Sequence, residues 1–329
     1  MSEEAHSARS GRSSMSSRGR FDPAILYQAA LAYYVDNATQ AEIADALGVS
    51  RPTVSRLLSE ARAAGIVTIE VREPTVERDA ELAGRLATAL GLRKVYVTPT
   101  VGRRDIGAIL APGVGRAIDD AGLVPGDGLL VSSGVTVYEV VGHPLPPAPG
   151  VLVAPTVGGQ LESEGPYQTN EIARRLAMKL NGRPVLLYAP ALPSAELYRS
   201  LLGDPHIQEV LGLWKTAKAA LLGVGAPPLT RTIMPSTFQG NPHWLRSAVG
   251  DINARPYDVH GTPLDLETND RLIAMRLEEL REVPHAIAVA VGRNKIGSII
   301  AAARAGFFNH LVTDTDTATA LEAAATTDR

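Results

Sequence analysis

Apolar positions follow two different rhythms along this chain. From residue 22 to about 65 they keep helical spacing: Ile43 and Leu47 lie one turn apart on one face, and Val54, Leu57 and Leu58 share another. After Gly65 the run Ile66-Val67-Thr68-Ile69-Glu70-Val71-Arg72 alternates and predicts a strand. A helical stretch follows from Glu77 to Leu90 and closes at Gly91, with Leu82, Leu86 and Leu90 recurring every four residues. That stripe suits a second subunit or the chain's own core, and the pattern leaves both open.

From Lys94 onward short β-branched runs alternate with Ala/Leu-rich helical segments. The expected strands are Val95–Thr98, Gly128–Val131, Val151–Ala154, Val185–Tyr188, Ala219–Val224, Ala286–Val291 and Leu311–Thr313. This alternation predicts an α/β domain with a mainly parallel sheet, whose ligand lies beyond the carboxyl ends of the strands. The expected organisation is a disordered Ser/Arg/Gly-rich tail over 1–20, a winged helix-turn-helix over 21–72, a linker helix over 73–92 and an effector-binding domain over 93–325.

Composition narrows the function. The 329 residues include no cysteine, which excludes disulfides, thiolate metal sites and cysteine nucleophiles and fits a reducing compartment. The seven histidines lack metal-ligand spacing, so neither a metal nor a cofactor is expected. No signal core and no apolar run of the ~20 residues needed to span a bilayer is visible, so a cytoplasmic protein is expected. The net charge of -3 argues mildly against nucleic acid, although it permits a local positive face.

The stretch Thr39–Leu58 carries the sharpest chemistry. Thr39 and Glu42 form a capping-box pattern, and Gly48 ends the first helix where a left-handed turn is needed. Val49 fills the corner, Ser50 caps the next helix, and Pro52 falls in its first turn. Arg51, Thr53, Ser55 and Arg56 are then left on the exposed N-terminal half of the second helix, with Gln40, Ser50 and Pro52 beside them. Those positions would face the major groove of operator DNA. A plain helical hairpin with an Arg56–Glu60 pair is the bland alternative. Over residues 39–64 three arginines (Arg51, Arg56, Arg62) are offset by Glu42, Asp45 and Glu60. Binding would rest on the placement of charge rather than on an excess.

With "QAEIADALGVSRPTVSRLLSEARAAGIVTIEV", and then "SSGVTVYEV", "PTVGG", "NEIARRLA", "GDINAR", "ETNDRLIAM" and "GRNKIGSIIAAARAGFFNHLVTD" in series, the chain resembles the SorC/DeoR-type sugar-binding transcriptional regulators over about residues 22–322. The resemblance implies a C-terminal domain similar to sugar-phosphate isomerases and deaminases, with catalysis lost and effector binding kept. It also implies a homodimer or homotetramer on operator DNA, regulating carbohydrate use in response to a sugar, polyol or sugar phosphate.

The candidate effector residues follow from both routes. Ser132-Ser133-Gly134-Val135-Thr136 joins a strand to a helix expected from about Val137, where backbone N–H groups, hydroxyls and the helix dipole suit an anion. An ordinary capped turn fits the local residues as well, and it is the family that implies phosphate there. Gly158 and Gly159 would let backbone approach a ligand, and Gln160 would bond a hydroxyl, against the alternative of a surface turn. Asn170 reads as the N-cap of a helix Glu171–Leu180. The resemblance adds Asp251, Asn253, Arg255, Asp270 and Lys295, while Ala254 and Pro256 stand where the family commonly has glycine and an aromatic residue. Gly113-Val114-Gly115 reads as a turn. The competing function is a sugar-phosphate isomerase or deaminase with an added helical domain, for which Glu139, Asp251 and Asp270 would be the bases.

Overall fold

The computed structural model describes residues 21–36, 38–67, 76–100, 105–160, 164–227, 247–266 and 269–327. The expected tail, and all but Ile66 and Val67 of the expected wing strand, lie outside them. The chain divides into two units, Met1–Glu73 and Pro74–Arg329.

In the first unit, helix α1 (Pro23–Tyr34) is capped by Asp22, with Pro23 at its first position. Helix α2 (Gln40–Leu47) starts on a complete capping box: Glu42 N–H donates to Thr39 Oγ1 at 3.3 Å, and Thr39 N–H donates to Glu42 Oε2 at 2.8 Å. Gly48 then takes φ 64°, a left-handed conformation that frees the chain to turn into α3 (Arg51–Ala63). Leu26, Ala29, Ala30, Ile43, Ala44, Val54, Leu57, Leu58 and Ala61 form the core, and the small alanines let the helices cross closely.

The second unit opens with α4 (Val76–Leu90). Leu82, Leu86 and Leu90 are buried in this unit's own core, which decides against their use as a free pairing stripe. The order continues with β1 (Lys94–Thr98), α5 (Ile106–Ala121), β2 (Gly128–Val131), α6 (Val135–Gly142), β3 (Leu152–Pro155), α7 (Thr169–Leu180) and β4 (Arg183–Pro184). Then come α8 (Ala195–Leu202), α9 (Pro205–Thr216), β5 (Ala219–Gly223), the hairpin β6 (Gly250–Ile252) and β7 (Arg255–Tyr257), β8 (His285–Val289), α10 (Ile296–Arg304), β9 (His310–Asp314) and α11 (Thr315–Thr327).

Seven strands form one parallel sheet in the order β1-β9-β8-β5-β2-β3-β4. Its strands are apolar on both faces because both faces are covered. Leu129 and Val131 of β2 pack with α5, α6 and α7, whereas Leu130 between them packs into the core that holds α4, α9, α10 and α11. The chain runs outward from β2 to β3 and β4, then returns to β5 on the other side of β2. The topological switch therefore lies between β2 and β5, where open α/β sheets place their ligands.

Two segments depart from the sequence reading. Gly113 and Gly115 lie inside α5 rather than in a turn. A Cβ on Gly113 would come within 2.7 Å of Val312 Cγ1 and 2.9 Å of Thr98 Cγ2, so the glycine is there to let the helix lie flat on β1 and β9. The strand expected at 185–188 is absent there, and a two-residue strand, Arg183–Pro184, lies just before it. Beyond it the Asn170 amide, inside α7 rather than capping it, takes the place of a neighbouring strand. It accepts from Leu187 N–H at 2.9 Å and donates to Leu187 O at 3.1 Å.

At the amino ends of β8 and β9, His285 and His310 stack at 5.0 Å, and His310 stacks in turn with Tyr96. Burial, then the His285 ring and Arg93, push His310 down to about 4, and burial also lowers His285. The unfolded chain protonates such imidazoles near pH 6.5. Stability contributed by the neutral rings is thus present above that pH and falls as pH drops from about 6.5 toward 4. Unfolding midpoints measured between pH 7.5 and 5 are expected to decline with acidification, and His310→Phe is expected to flatten the decline. An unchanged slope in the variant would show that these rings do not set it.

Candidate functional site

The two units carry separate candidate sites. In the first, Ser50 Oγ accepts from Thr53 N–H at 3.4 Å and contacts Thr53 Oγ1 at 2.9 Å. Both hydroxyls thus serve the start of α3, and Thr53 is half-buried. Arg51, Pro52, Ser55 and Arg56 are exposed, and Gln40 is half-buried at the first position of α2. Among the described residues Arg51 and Arg56 have no ion-pair partner, since Glu60 instead accepts from Phe21 N–H at 3.3 Å. The surface so built has two free guanidiniums and a serine on the first two turns of α3.

In the second unit, Ser132 ends β2 at the switch point. Its N–H continues the ladder to Leu221 O at 3.0 Å, but its own side-chain Oγ accepts the next bond, from Gly223 N–H at 2.8 Å. The hydroxyl stands where a continuing strand would present its carbonyl. The chain is thereby released to turn away at Ser133 and Gly134, whose φ of 132° requires glycine. Helix α6 starts at Val135, two residues earlier than expected, so Thr136 lies buried within its first turn. Gly134 provides no side-chain cap for the first-turn N–H groups. Gln160 reaches across from the chain after β3 and donates to Ser133 Oγ at 3.1 Å.

The chain after β3 is bound on both sides. Gly158 N–H donates to Ile273 O at 2.9 Å, and Gly159 N–H donates to Ala189 O at 2.7 Å. A Cβ on Gly158 would lie 2.7 Å from Ala189 O, so glycine is needed there for internal packing and not, as expected, for the approach of a ligand. Gly159 is exposed.

The β6–β7 hairpin closes over the ends of β3 and β5. Gly225 N–H donates to Asp251 O at 2.9 Å, and a Cβ on Gly225 would meet Asp251 Oδ1, so that carboxylate lies against the chain leaving β5. Asn253 is buried, and its Oδ1 accepts from Thr156 Oγ1 at 2.7 Å at the end of β3. Asn253 and Ala254 have φ of 55° and 57°, the two-residue turn that twists with its strands.

Two expected effector residues lie elsewhere. Arg255 is buried, and its Nη2 donates to Ala274 O at 2.9 Å and Leu272 O at 3.3 Å. Ile252 and Arg255 pair across the hairpin, and Ile252 belongs to the α9 side of the core, so Arg255 is directed to that side and ties the hairpin to residues 272–274. Asp270 is exposed on a single turn, Asn269–Arg271, and lines a cavity of about 210 Å³ together with Arg255 and Arg276. The structure therefore groups Ser132, Ser133, Gly134, Thr136, Gln160, Asp251 and Asn253 around the switch point and removes Arg255 and Asp270 from that group.

Lys295 ends the turn Arg293–Lys295 just before α10. Its charge acts on Glu139, on the second turn of α6, as do Asp105 and His143, which pair with each other at 3.0 Å. Burial, then Asp105, raise the Glu139 carboxyl above the usual range. Sequence reasoning placed Glu139 only in the enzyme alternative and overlooked Thr156 and Thr169. The visible signal for Glu139 was a lone acid in the otherwise apolar segment VTVYEVVG.

Comparison with known proteins bears on both units. A family model described as "Putative sugar-binding domain" matches residues 75–321, and a Crp-like helix-turn-helix domain model matches residues 26–83. The sorbitol operon regulator of Klebsiella pneumoniae is 30% identical over 309 residues, covering 90% of this chain and 97% of that protein. The deoxyribonucleoside regulator of Bacillus subtilis is 31% identical over 305 residues, covering 89% and 96%. The crystal structure of the full-length Klebsiella pneumoniae protein superposes with a TM-score of 0.70 at 28% identity, covering 92% of this chain and all of that one.

Ala254 holds a backbone conformation that costs an L-residue ~1–2 kcal/mol, part of which glycine recovers against its greater freedom when unfolded. Ala254→Gly is accordingly expected to stabilise the second unit by about 1 kcal/mol, read as a rise of roughly 2–4 °C in unfolding midpoint. A fall in midpoint would contradict the turn geometry.

Proposed function

Because the chain belongs to the family of sugar-binding transcriptional regulators, we propose that it regulates a carbohydrate-utilisation operon by binding operator DNA through α3 under control of a sugar or polyol effector. The carrying observation is the exposed first half of α3, where Arg51, Ser55 and Arg56 stand clear of internal partners on a helix fixed by Gly48 and Ser50. With charge in the module nearly balanced, affinity comes from where these two guanidiniums sit and from doubling the module in a homodimer or homotetramer. The setting is cytoplasmic, and among the described residues no helix is long and apolar enough to cross a membrane.

The effector occupies the crevice at the switch point. Its anionic end, a phosphate, sits on the uncapped start of α6 between Ser133 and Thr136. Its hydroxyls meet Gln160, Asp251 and Asn253, with Lys295 adding positive charge from the β8 side. Gly159 borders this crevice, whereas Gly158 supports it from within. The site binds without turnover: effector binding shifts the population between assemblies that space the paired recognition helices differently. The balance moves only by the difference in effector affinity between them.

Binding of the full chain to its own upstream DNA, measured at fixed low salt, is expected to weaken roughly tenfold or more in Arg51→Ala and Arg56→Ala, by the scale of one base contact. Effector-induced thermal stabilisation should be intact in both. Unaltered DNA affinity in both variants would remove α3 as the reading helix. Thr136→Val is expected to weaken phosphorylated sugars more than their unphosphorylated counterparts, and equal weakening would remove the phosphate from α6.

A further inference from the structure

We propose that Glu139 selects the effector by accepting a hydrogen bond from it, so that the ligand must carry a donor, a hydroxyl or an ammonium group, about one helical turn from its anionic end. This deepens the reading of the switch-point crevice given above and rests on it.

Several buried polar atoms lack a hydrogen-bond partner. Among the described residues they include Glu139 Oε2, Gln160 Oε1, Thr169 Oγ1 and Asn253 Nδ2. Glu139 lies on α6, which follows β2; Gln160, bonded to Ser133, and Thr169, at the start of α7, follow β3; and Asn253 is bonded to Thr156 at the end of β3. Buried polar groups are ordinarily satisfied, so such a concentration marks a place where a ligand completes the bonding.

The kind of atom left over specifies the ligand. Phosphate oxygens at neutral pH chiefly accept, so they suit the Asn253 amide and the Thr169 hydroxyl. They do nothing for the acceptor oxygens of Glu139 and Gln160. The amides of Gln160 and Asn253 can turn over and exchange donor for acceptor, but a carboxylate has no such freedom, so Glu139 is the fixed acceptor of the set.

Among the described residues, the surroundings of Glu139 supply no hydrogen-bond donor to its buried oxygen. Asp105 takes the nearby His143 ring for itself, and Asp105 adds like charge. On the α5 side Gly107, whose Cβ would fall 2.5 Å from the Glu139 backbone carbonyl, lets the two helices pack closely and brings no side chain to this part of α6. Lys295 is felt through charge. Glu139 follows Thr136 by three residues, which places it ~4.5 Å further along α6 from the anion seat. That distance suits a hydroxyl or amine two or three bonds from a phosphate ester. An acceptor-only anion gains nothing there and is repelled by the acid.

The test uses the full chain with inorganic sulfate, D-glucitol 6-phosphate, D-ribose 5-phosphate and D-glucosamine 6-phosphate as probes. Glu139→Leu removes the buried acceptor, so its unfolding midpoint without ligand is expected to rise by about 2–4 °C. The same variant should bind the best hydroxylated or amino phosphate at least tenfold more weakly and bind inorganic sulfate, which has no donor, no more weakly than the wild type does. Glu139→Gln, which keeps an acceptor oxygen, should restore most of that binding, as a merely space-filling role would not require. Glu139→Ala serves the ligand comparison if the leucine variant does not fold.

A lowered midpoint in Glu139→Leu would overturn the proposal, because it would show that the acid already has a stabilising partner. So would inorganic sulfate stabilising the wild type as strongly as the sugar phosphates, or a loss in Glu139→Leu that fell equally on both. If no probe shifts the wild-type midpoint, the phosphate seat on α6 fails, and the ligand-free midpoint of Glu139→Leu still decides the role of the acid.

Discussion

One bond, from Gly223 N–H to the Ser132 hydroxyl, sets the shape of the larger unit's working end. Parallel strands stay together while each N–H finds the neighbour's carbonyl. At Ser132 a side chain takes over that duty, so β2 and β5 part without leaving a buried donor unpaired. Everything near the crevice follows from this parting. Gly134 turns the chain, α6 begins without a side-chain cap, and the loop after β5 lies open to receive Asp251. The switch point is thus held by a bonded serine, with the strain confined to a glycine.

The hairpin that roofs this end is held by interactions of another kind. Arg255 donates to two carbonyls on the α9 side, and burial with the nearby Arg276 lowers its proton affinity. Asn253 anchors the turn to Thr156 at the cost of a left-handed backbone at two successive non-glycine residues. A fold optimised for stability alone would place glycine at Ala254 and leave no buried carboxylate oxygen without a donor at Glu139. These departures gather around one crevice, which is where binding function is expected to hold destabilising features.

Much of the architecture could be read from local pattern. The capping box at Thr39, the turn at Gly48 and the cap at Ser50 are short-range devices, so they appear in the sequence and recur in the structure. The parallel strands were visible because burial on both faces leaves uninterrupted apolar runs. The failures share a cause as well. Gly113 looked like a turn because its partner Val312 lies far along the chain, and Asn170 looked like a cap because its partner was the backbone of Leu187. The stretch after Pro184 has strand composition, but at Leu187 the Asn170 side chain takes both backbone bonds that a ladder would supply.

The sequence by itself determined the two-domain plan, the alternation that makes a parallel α/β sheet, the helix-turn-helix and the Ser/Gly turn ahead of α6. All of these depend on residues within a few positions of one another, or on a period of hydrophobicity. Tertiary structure alone decided which polar residues share a site. It brought Gln160 and Asn253 to the switch point, turned Arg255 and Asp270 away from it, and set Glu139 beside Asp105 and Lys295. The reason is geometric: a side chain's direction is fixed by pairing register and helix phase across segments tens to hundreds of residues apart, and no local pattern records those.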